Sequence, residues 1–348
     1  MDFMINIDLK KLPVTINYRD KILLIGSCFT EHIGDSLEEL KFSVLRNPNG
    51  ILFDPLSVSK SLISYIENKE YSESDLFQLN EIWHSWQHHS RFSNINKKEC
   101  LQNINNSRQR AHDFLKNAKW IIITLGSAFS YRLTSEFSKV SPFGGDLPAG
   151  QAGLEGAEVA NCHRAPAQWF NKVLLDAEEI ISALDNCLKH LLSFRPELKI
   201  IFTISPVRHI RDGVVENNRS KARLIEATHE LVKKYENVFY FPAYELVIDV
   251  LRDYRFYDAD LVHPNYMATE FVLDKFIETS IDENSKELME EIKSIAIAAK
   301  HKAFQPETNA HRQFLKTHFE KTEKIQEQYP FLDFSKELAY FSQRAEIL

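Results

Sequence analysis

The 348 residues include 42 Lys and Arg against 49 Asp and Glu, a net charge of −7. With 44% apolar and 26% charged residues the composition is that of an ordinary globule, which excludes a disordered chain; at this length roughly three quarters of the unfolded surface becomes buried. The acidic balance offers no positive field to follow a phosphate backbone, so nucleic acid is not an expected partner.

Residues 1–11 mix acids and bases among single apolar residues, without the unbroken apolar run of a signal peptide. No stretch approaches the ~20 apolar residues that cross a bilayer, and the expectation is a cytoplasmic protein that does not engage a membrane. From there, short runs rich in Ile, Val and Phe alternate with longer segments of helical periodicity. Strands are predicted at Lys21–Ile25, Phe42–Leu45, Trp120–Leu125, Lys199–Ile204 and Val238–Phe241; their continuous hydrophobicity suits a parallel sheet covered on both faces. Between the first two, Phe29, Ile33, Leu37 and Leu40 share one helical stripe, with Thr30 near its N-terminus. Further helices are predicted at Val58–Asn68, Lys97–Asn117, Asp176–Ser193, Asn218–Tyr235 and Tyr266–Thr279. Right-handed crossovers then give an α/β fold, three αβα layers around a doubly wound parallel sheet.

Two segments stand apart. Residues 141–156 hold five of the ten glycines and read as a flexible insertion to which no chemistry is assigned. From about Asp282 the sequence is helical and highly charged, broken by Pro330 and without a strand. Residues 1–280 are therefore read as the catalytic domain, and 281–348 as a helical extension that packs on it or joins two copies as a homo-oligomer.

In an open α/β sheet, ligands bind outside the carboxyl ends of the strands. The predicted strands end in Gly26–Ser27–Cys28–Phe29, Asn47–Pro48–Asn49–Gly50, Gly126–Ser127 and Ser205–Pro206–Val207–Arg208–His209, and after the last comes Asp258–Ala259–Asp260–Leu261–Val262–His263–Pro264. Ser27, on a strand-to-helix turn, can present its hydroxyl to the crevice with its own N–H aimed at a developing oxyanion; a serine there also serves as a plain helix cap. A spacing of three lets Asp260 fold back onto the His263 imidazole, fixing its tautomer, although an acidic cap and a surface histidine would look the same. Together the three supply the nucleophile, base and orienter that acyl transfer needs.

The stretch Ile25–Gly26–Ser27–Cys28–Phe29–Thr30 resembles the signature of the GSCFA domain family, grouped with the SGNH (GDSL-like) esterases and acylhydrolases. The resemblance continues through Asn47–Pro48–Asn49–Gly50–Ile51–Leu52, Thr124–Leu125–Gly126–Ser127–Ala128, Asn161–Cys162–His163, Ser205–Pro206–Val207–Arg208–His209 and Tyr254–Arg255–Phe256–Tyr257–Asp258–Ala259–Asp260–Leu261–Val262–His263–Pro264, covering about residues 20–280. It implies a flavodoxin-like three-layer fold, Ser27 as nucleophile, and Asp260 and His263 as the closing DxxH. In SGNH enzymes the oxyanion is also held by a glycine N–H after the second strand and by an asparagine after the third. Gly50 or Asn47 matches the former. For the latter Gly126 is present, but Ser127, Ala128 and Phe129 follow and the asparagine is missing. Ser127 or Asn161 is the expected replacement, since losing one donor costs about 2.7 to 4 kcal/mol.

His163, Arg208 and His209 are candidates for substrate binding, the guanidinium offering a planar fork to an anionic group unless it pairs with Asp212. His84, His88 and His89, in Trp83–His84–Ser85–Trp86–Gln87–His88–His89, have the i, i+4 spacing of a metal helix, but Ser85 replaces the glutamate a zincin needs, and the tryptophans suggest an aromatic hairpin. Asp249–Val250–Leu251–Arg252–Asp253 reads as a salt-bridged helix end. Cys28, Cys100, Cys162 and Cys187 lack a CxxC pair and read as reduced thiols; Cys28 is expected to pack inward. The sequence thus predicts a serine esterase or acylhydrolase that needs no cofactor or metal and acts on a small O-acyl ester, by superfamily analogy on a glycan or metabolite. The alternatives are an O-acyltransferase on the same scaffold, a catalytically idle carbohydrate or protein binder, and a metal-dependent hydrolase at His84 and His88.

Overall fold

The structure, a computed structural model, describes residues 5–139 and 154–346. The chain runs β1 (Lys21–Gly26), α1 (Cys28–Glu39), β2 (Ser43–Arg46), α2 (Pro55–Glu67), a hairpin of β3 (Phe77–Leu79) and β4 (Ile82–His84), α3 (Lys97–Leu115), β5 (Trp120–Leu125), β6 (Phe129–Leu133), the short α4 (Ser135–Lys139), β7 (Glu158–Val159), β8 (Phe170–Leu174), α5 (Ala177–Phe194), β9 (Lys199–Ile204), α6 (Val214–Lys234) and β10 (Val238–Tyr240). One turn, α7 (Ala243–Glu245), widens into a π-helix over Leu246–Leu251, and α8 (Tyr266–Ser280), α9 (Glu283–Lys300), α10 (Asn309–Gln328) and α11 (Ser335–Glu346) complete it.

The central sheet has the order β10-β9-β5-β1-β2, every pairing parallel. This is the flavodoxin-like order, whose direction of winding reverses at β1 and opens a crevice between the carboxyl ends of β1 and β5. Because side chains alternate along a strand, Ile22 and Leu24 of β1 join one core with α1, α8 and the C-terminal helices, while Leu23 and Ile25 join the other with α2, α3, α5 and α6. Both faces are covered, which accounts for the unbroken apolar runs. The C-terminal helices insert Ile292, Leu315, Ile325 and Phe341 into the same core as Ile22 and Leu24.

Each of the five strands lies within one residue of its expected start and end. Helix starts moved more: α2 begins three residues early because Asp54 caps it through Leu56 and Ser57 N–H and Pro55 is preset for its first turn, and α6 begins at Val214 after Gly213. The antiparallel sheet β7-β6-β8 and the hairpin β3-β4 are the additions. They pack Phe77, Trp86, Leu133, Phe137 and Trp169 into a satellite core beside the main sheet. Of the glycine-rich stretch 141–156, residues 141–153 lie outside the described residues. No helix among the described residues is long and apolar enough to cross a membrane.

Candidate active site

At the crevice the chain passes from β1 to α1 through one residue, Ser27. Gly26 permits this, with φ at 138° and Thr124 of β5 so near that a side chain would collide with its carbonyl. Ser27 takes the N-cap position of α1 (φ −68°, ψ 175°) but makes no capping hydrogen bond, although a serine there ordinarily accepts one from the second or third helical N–H. It is fully buried and Oγ has no partner. An unpaired buried hydroxyl costs free energy, and here Thr30, Ser59, Ser130 and Thr203 share that condition.

The next loop is stitched to both neighbours. Asn47 Oδ1 accepts the Gly26 N–H at 2.8 Å, and its Nδ2 donates to Glu31 at 2.8 Å. Gly50 (φ 84°) donates to the Asn47 carbonyl at 2.7 Å, Leu52 to that of Gly26 at 2.9 Å, and Gly126 and Ser127 both donate to that of Phe53, at 2.8 and 3.0 Å. Ser27 itself donates its N–H to the Thr124 carbonyl at 3.0 Å. This corrects the expectation of a free Ser27 N–H aimed at an oxyanion: the groups at Ser27, Asn47, Gly50 and Gly126 are all spent on holding the loops together. Ser127 Oγ accepts the Phe129 N–H at 3.0 Å, and Asn161 Nδ2 donates to the Ile51 carbonyl at 3.5 Å. At the start of α1, the Cys28 and Phe29 N–H groups have no intrahelical acceptor.

The DxxH turn is assembled as expected. Asp260 Oδ2 accepts from His263 Nδ1 at 2.6 Å, while Oδ1 accepts the Val262 and His263 N–H groups at 2.9 and 3.0 Å. The His263 N–H and ring, with the Val262 N–H, hold the carboxyl down to about 2, so it stays ionised. Leu261 reaches φ 58° to close the turn, which is fastened by Asp258 N–H on the His263 carbonyl at 2.8 Å and by Asn265 Nδ2 on that of Arg255 at 2.7 Å. Arg208 ties this turn to the end of β9. Its N–H donates to the Val262 carbonyl at 3.2 Å and its guanidinium lies 4.2 Å from the Tyr257 ring centroid. Asp212, its expected partner, pairs with Lys172 instead.

His209 joins the two halves. A β-carbon placed on Gly126 would stand 3.3 Å from Ser27 Cβ, 3.3 Å from His209 Nε2 and 3.1 Å from Phe53 Cδ1, so these three groups converge on the glycine, closer than a side chain there would take without displacing one of them. His209 Nε2 is buried without a partner, and the ring stands edge-on to Phe53 at 5.3 Å. Burial, with the charges of Lys221, His263 and Lys172 facing it, pushes its pKa down to about 3, so the ring is neutral. Lys221 is almost wholly buried and donates Nζ to the Gly126 carbonyl at 2.6 Å and the Ser205 carbonyl at 2.7 Å, pinning the ends of β5 and β9; burial brings its pKa down to about 7. Sequence reasoning passed over Lys221, yet a signal existed: it falls on the buried stripe of α6 with Asn217, Leu224, Thr228 and Leu231. Phe53 carried no such signal. Cys28 is half-buried, its thiol raised mainly by burial, which makes it a poor nucleophile beside Ser27.

Of the other histidines, His89 packs on the loop after β2, its N–H donating to the Asn49 carbonyl at 2.8 Å and its side chain lying against Gly50. His84 ends β4 and His88 lies in the following loop, so the helical i, i+4 geometry does not form. His84 Nδ1 pairs with Ser93 Oγ at 2.7 Å and His88 Nδ1 with Ser85 Oγ at 3.0 Å. His163 bonds the Ser85 carbonyl at 2.8 Å and Ser90 Oγ at 3.0 Å, and packs against His84, ring centroids 4.6 Å apart. Among the described residues no three His, Cys, Asp or Glu side chains are grouped to hold a metal. A cavity of about 600 Å³ bordered by α2, α5 and β7 and lined by Tyr71, Trp86 and Gln87 contains none of the candidate catalytic residues.

Among solved structures the chain is similar to a carbohydrate esterase family 3 protein from Talaromyces cellulolyticus, at 10% identity over 79% of this chain and 99% of that one, TM-score 0.34. It is similar to a Clostridium thermocellum family 3 carbohydrate esterase at 9% identity over 80% and 98%, TM-score 0.31. It is also similar to an acetyl xylan esterase from the rumen bacterium Butyrivibrio proteoclasticus, at 14% identity over 77% and 65%, TM-score 0.29. No curated protein matches. A model of the GSCFA domain protein C-terminal domain matches residues 292–347, and one of the GSCFA family matches residues 21–276, the span holding every catalytic candidate; the chain belongs to the GSCFA family.

Proposed function

We propose that the chain is a serine esterase or acylhydrolase that cleaves a small O-acyl ester through an acyl-enzyme on Ser27. One observation supports this reading: a serine in a capping position leaves the cap unmade and keeps its hydroxyl unpaired, not yet bonded to His263, while an ionised Asp260 already orients that imidazole. In the reaction, His263 takes the Oγ proton as Oγ bonds to the acyl carbon, and the carbonyl electron pair moves onto oxygen. Collapse of that adduct expels the alcohol, which takes the proton from His263, and water repeats the sequence on the acyl-enzyme. The close walls formed by Phe53 and His209 fit a short acyl group. Because Ser27 is fully buried, substrate reaches it only when part of that wall moves.

A second reading is favoured by a separate observation. With the N–H groups of Ser27, Gly50 and Gly126 spent on backbone carbonyls, the crevice would suit an idle member that binds a glycan or protein. Turnover of short-chain p-nitrophenyl esters separates the two. The esterase reading expects activity that Ser27→Ala abolishes and His263→Ala lowers by at least about 10²-fold; a folded chain that turns over no such ester favours the binder.

A further inference from the structure

We propose that His209 is a catalytic residue, its Nε2–H donating to the substrate oxyanion in place of the missing asparagine. The assignment rests on the Ser27 esterase reading. A tetrahedral adduct on Ser27 needs donors about 3 Å from the new oxyanion. The expected ones already have partners: Ser27, Gly50 and Gly126 N–H on carbonyls, Asn47 with Gly26 and Glu31, Asn161 with Ile51, and Ser127 Oγ with the Phe129 N–H at 3.0 Å and Ser220 Oγ at 3.4 Å. Ser27 Oγ and His209 Nε2 are both buried without partners. Both residues converge on Gly126, a β-carbon there standing 3.3 Å from Ser27 Cβ and 3.3 Å from His209 Nε2, and the assignment puts the acyl oxygen between them once its carbon is bonded to Oγ.

The surroundings of His209 suit a donor and not a base. Its backbone is fixed by Asn217 Oδ1 on its N–H at 2.8 Å and its ring by Phe53, so it is preorganised. Burial first, then the neighbouring Lys221, His263 and Lys172, disfavour a charge on its ring, with Asp212 opposing them. A ring that stays neutral offers one N–H and no proton to exchange, whereas a general base works best with a pKa near the operating pH. A neutral imidazole is a recognised electrophilic donor to a developing oxyanion. His263, with its carboxylate orienter, keeps the base role.

Three variants test this on the full chain with p-nitrophenyl acetate and a fluorophosphonate. His209→Ala is expected to lower kcat by about 10²- to 10³-fold with KM little changed, to keep the pH dependence of kcat/KM, and to label at Ser27 slowly but stoichiometrically. His209→Gln, which retains an N–H donor, is expected to recover at least part of that loss, and His209→Leu, which fills the space without a donor, to recover none. Should the alanine chain fail to fold, Gln against Leu gives the same comparison. Wild-type kcat in either donor-free variant overturns the proposal, as does a glutamine variant as inactive as alanine with a shifted pH profile, which would make His209 the base. Wild-type protein that neither labels nor turns over the ester removes the esterase reading itself, and this assignment with it.

Discussion

Ser27 stands where a helix would ordinarily recruit its cap, and its free Oγ makes the functional and structural roles separable by stability alone. Replacing a capping serine by alanine costs about 0.5–2 kcal/mol. Here the hydroxyl caps nothing and is buried unpaired, so Ser27→Ala should leave the urea midpoint unchanged or raised while activity disappears. A loss of a full kilocalorie would mean that the hydroxyl holds α1 after all. Gly126 makes a second test at this scale. Its φ is not positive, so alanine is conformationally allowed, but the new methyl would press on Ser27 Cβ, Phe53 and His209 Nε2 at 3.1–3.3 Å, filling the acyl-oxygen space. Gly126→Ala should fold, bind ester poorly and lose most of its kcat; a fully active variant would place the substrate elsewhere.

At the scale of elements, the site depends on three strand ends being sewn to one another, with Asn47 as the central stitch. Asn47→Ala leaves the buried Gly26 N–H without an acceptor, a loss of about 1–3 kcal/mol. The urea midpoint should fall with an unchanged m-value, and kcat should fall too because the β1–α1 turn loosens; unaltered stability would show that the strut is dispensable. The strands were legible because a parallel sheet buried on both faces writes itself as apolar runs, and Ser27, Asp260 and His263 stood out as candidates because they end or follow such runs. The β7-β6-β8 sheet was not: Phe129–Leu133 and Phe170–Leu174 are short, mixed in polarity and stabilised by the satellite core around Trp86 and Trp169, which no local pattern announces. For the same reason sequence proposed Gly50, Asn47 and Ser127 as oxyanion donors. Residue type shows that a donor is present, whereas only coordinates show that its hydrogen bond is already made.

Across the whole molecule, burial keeps three histidines uncharged, with pKa values pushed down to about 3 at His88, 4 at His163 and 3 at His209. Below about pH 6.5 the unfolded chain takes up protons that these folded sites refuse, so stability that is full above that pH is lost progressively as pH falls toward 4. Urea midpoints measured from pH 7.5 to 5 should decline, with a shallower slope in His88→Gln; a flat profile would mean that these rings are protonated in the fold. The C-terminal helices pack Ile292, Leu315 and Phe341 into a core shared with β1. The central claim, a serine nucleophile at the end of β1, is tested most directly by intact mass and peptide mapping of the full chain after fluorophosphonate treatment. One adduct on Ser27, absent from His263→Ala on the same timescale, is the predicted result; a folded, unmodified chain, or an adduct on another residue, would contradict it.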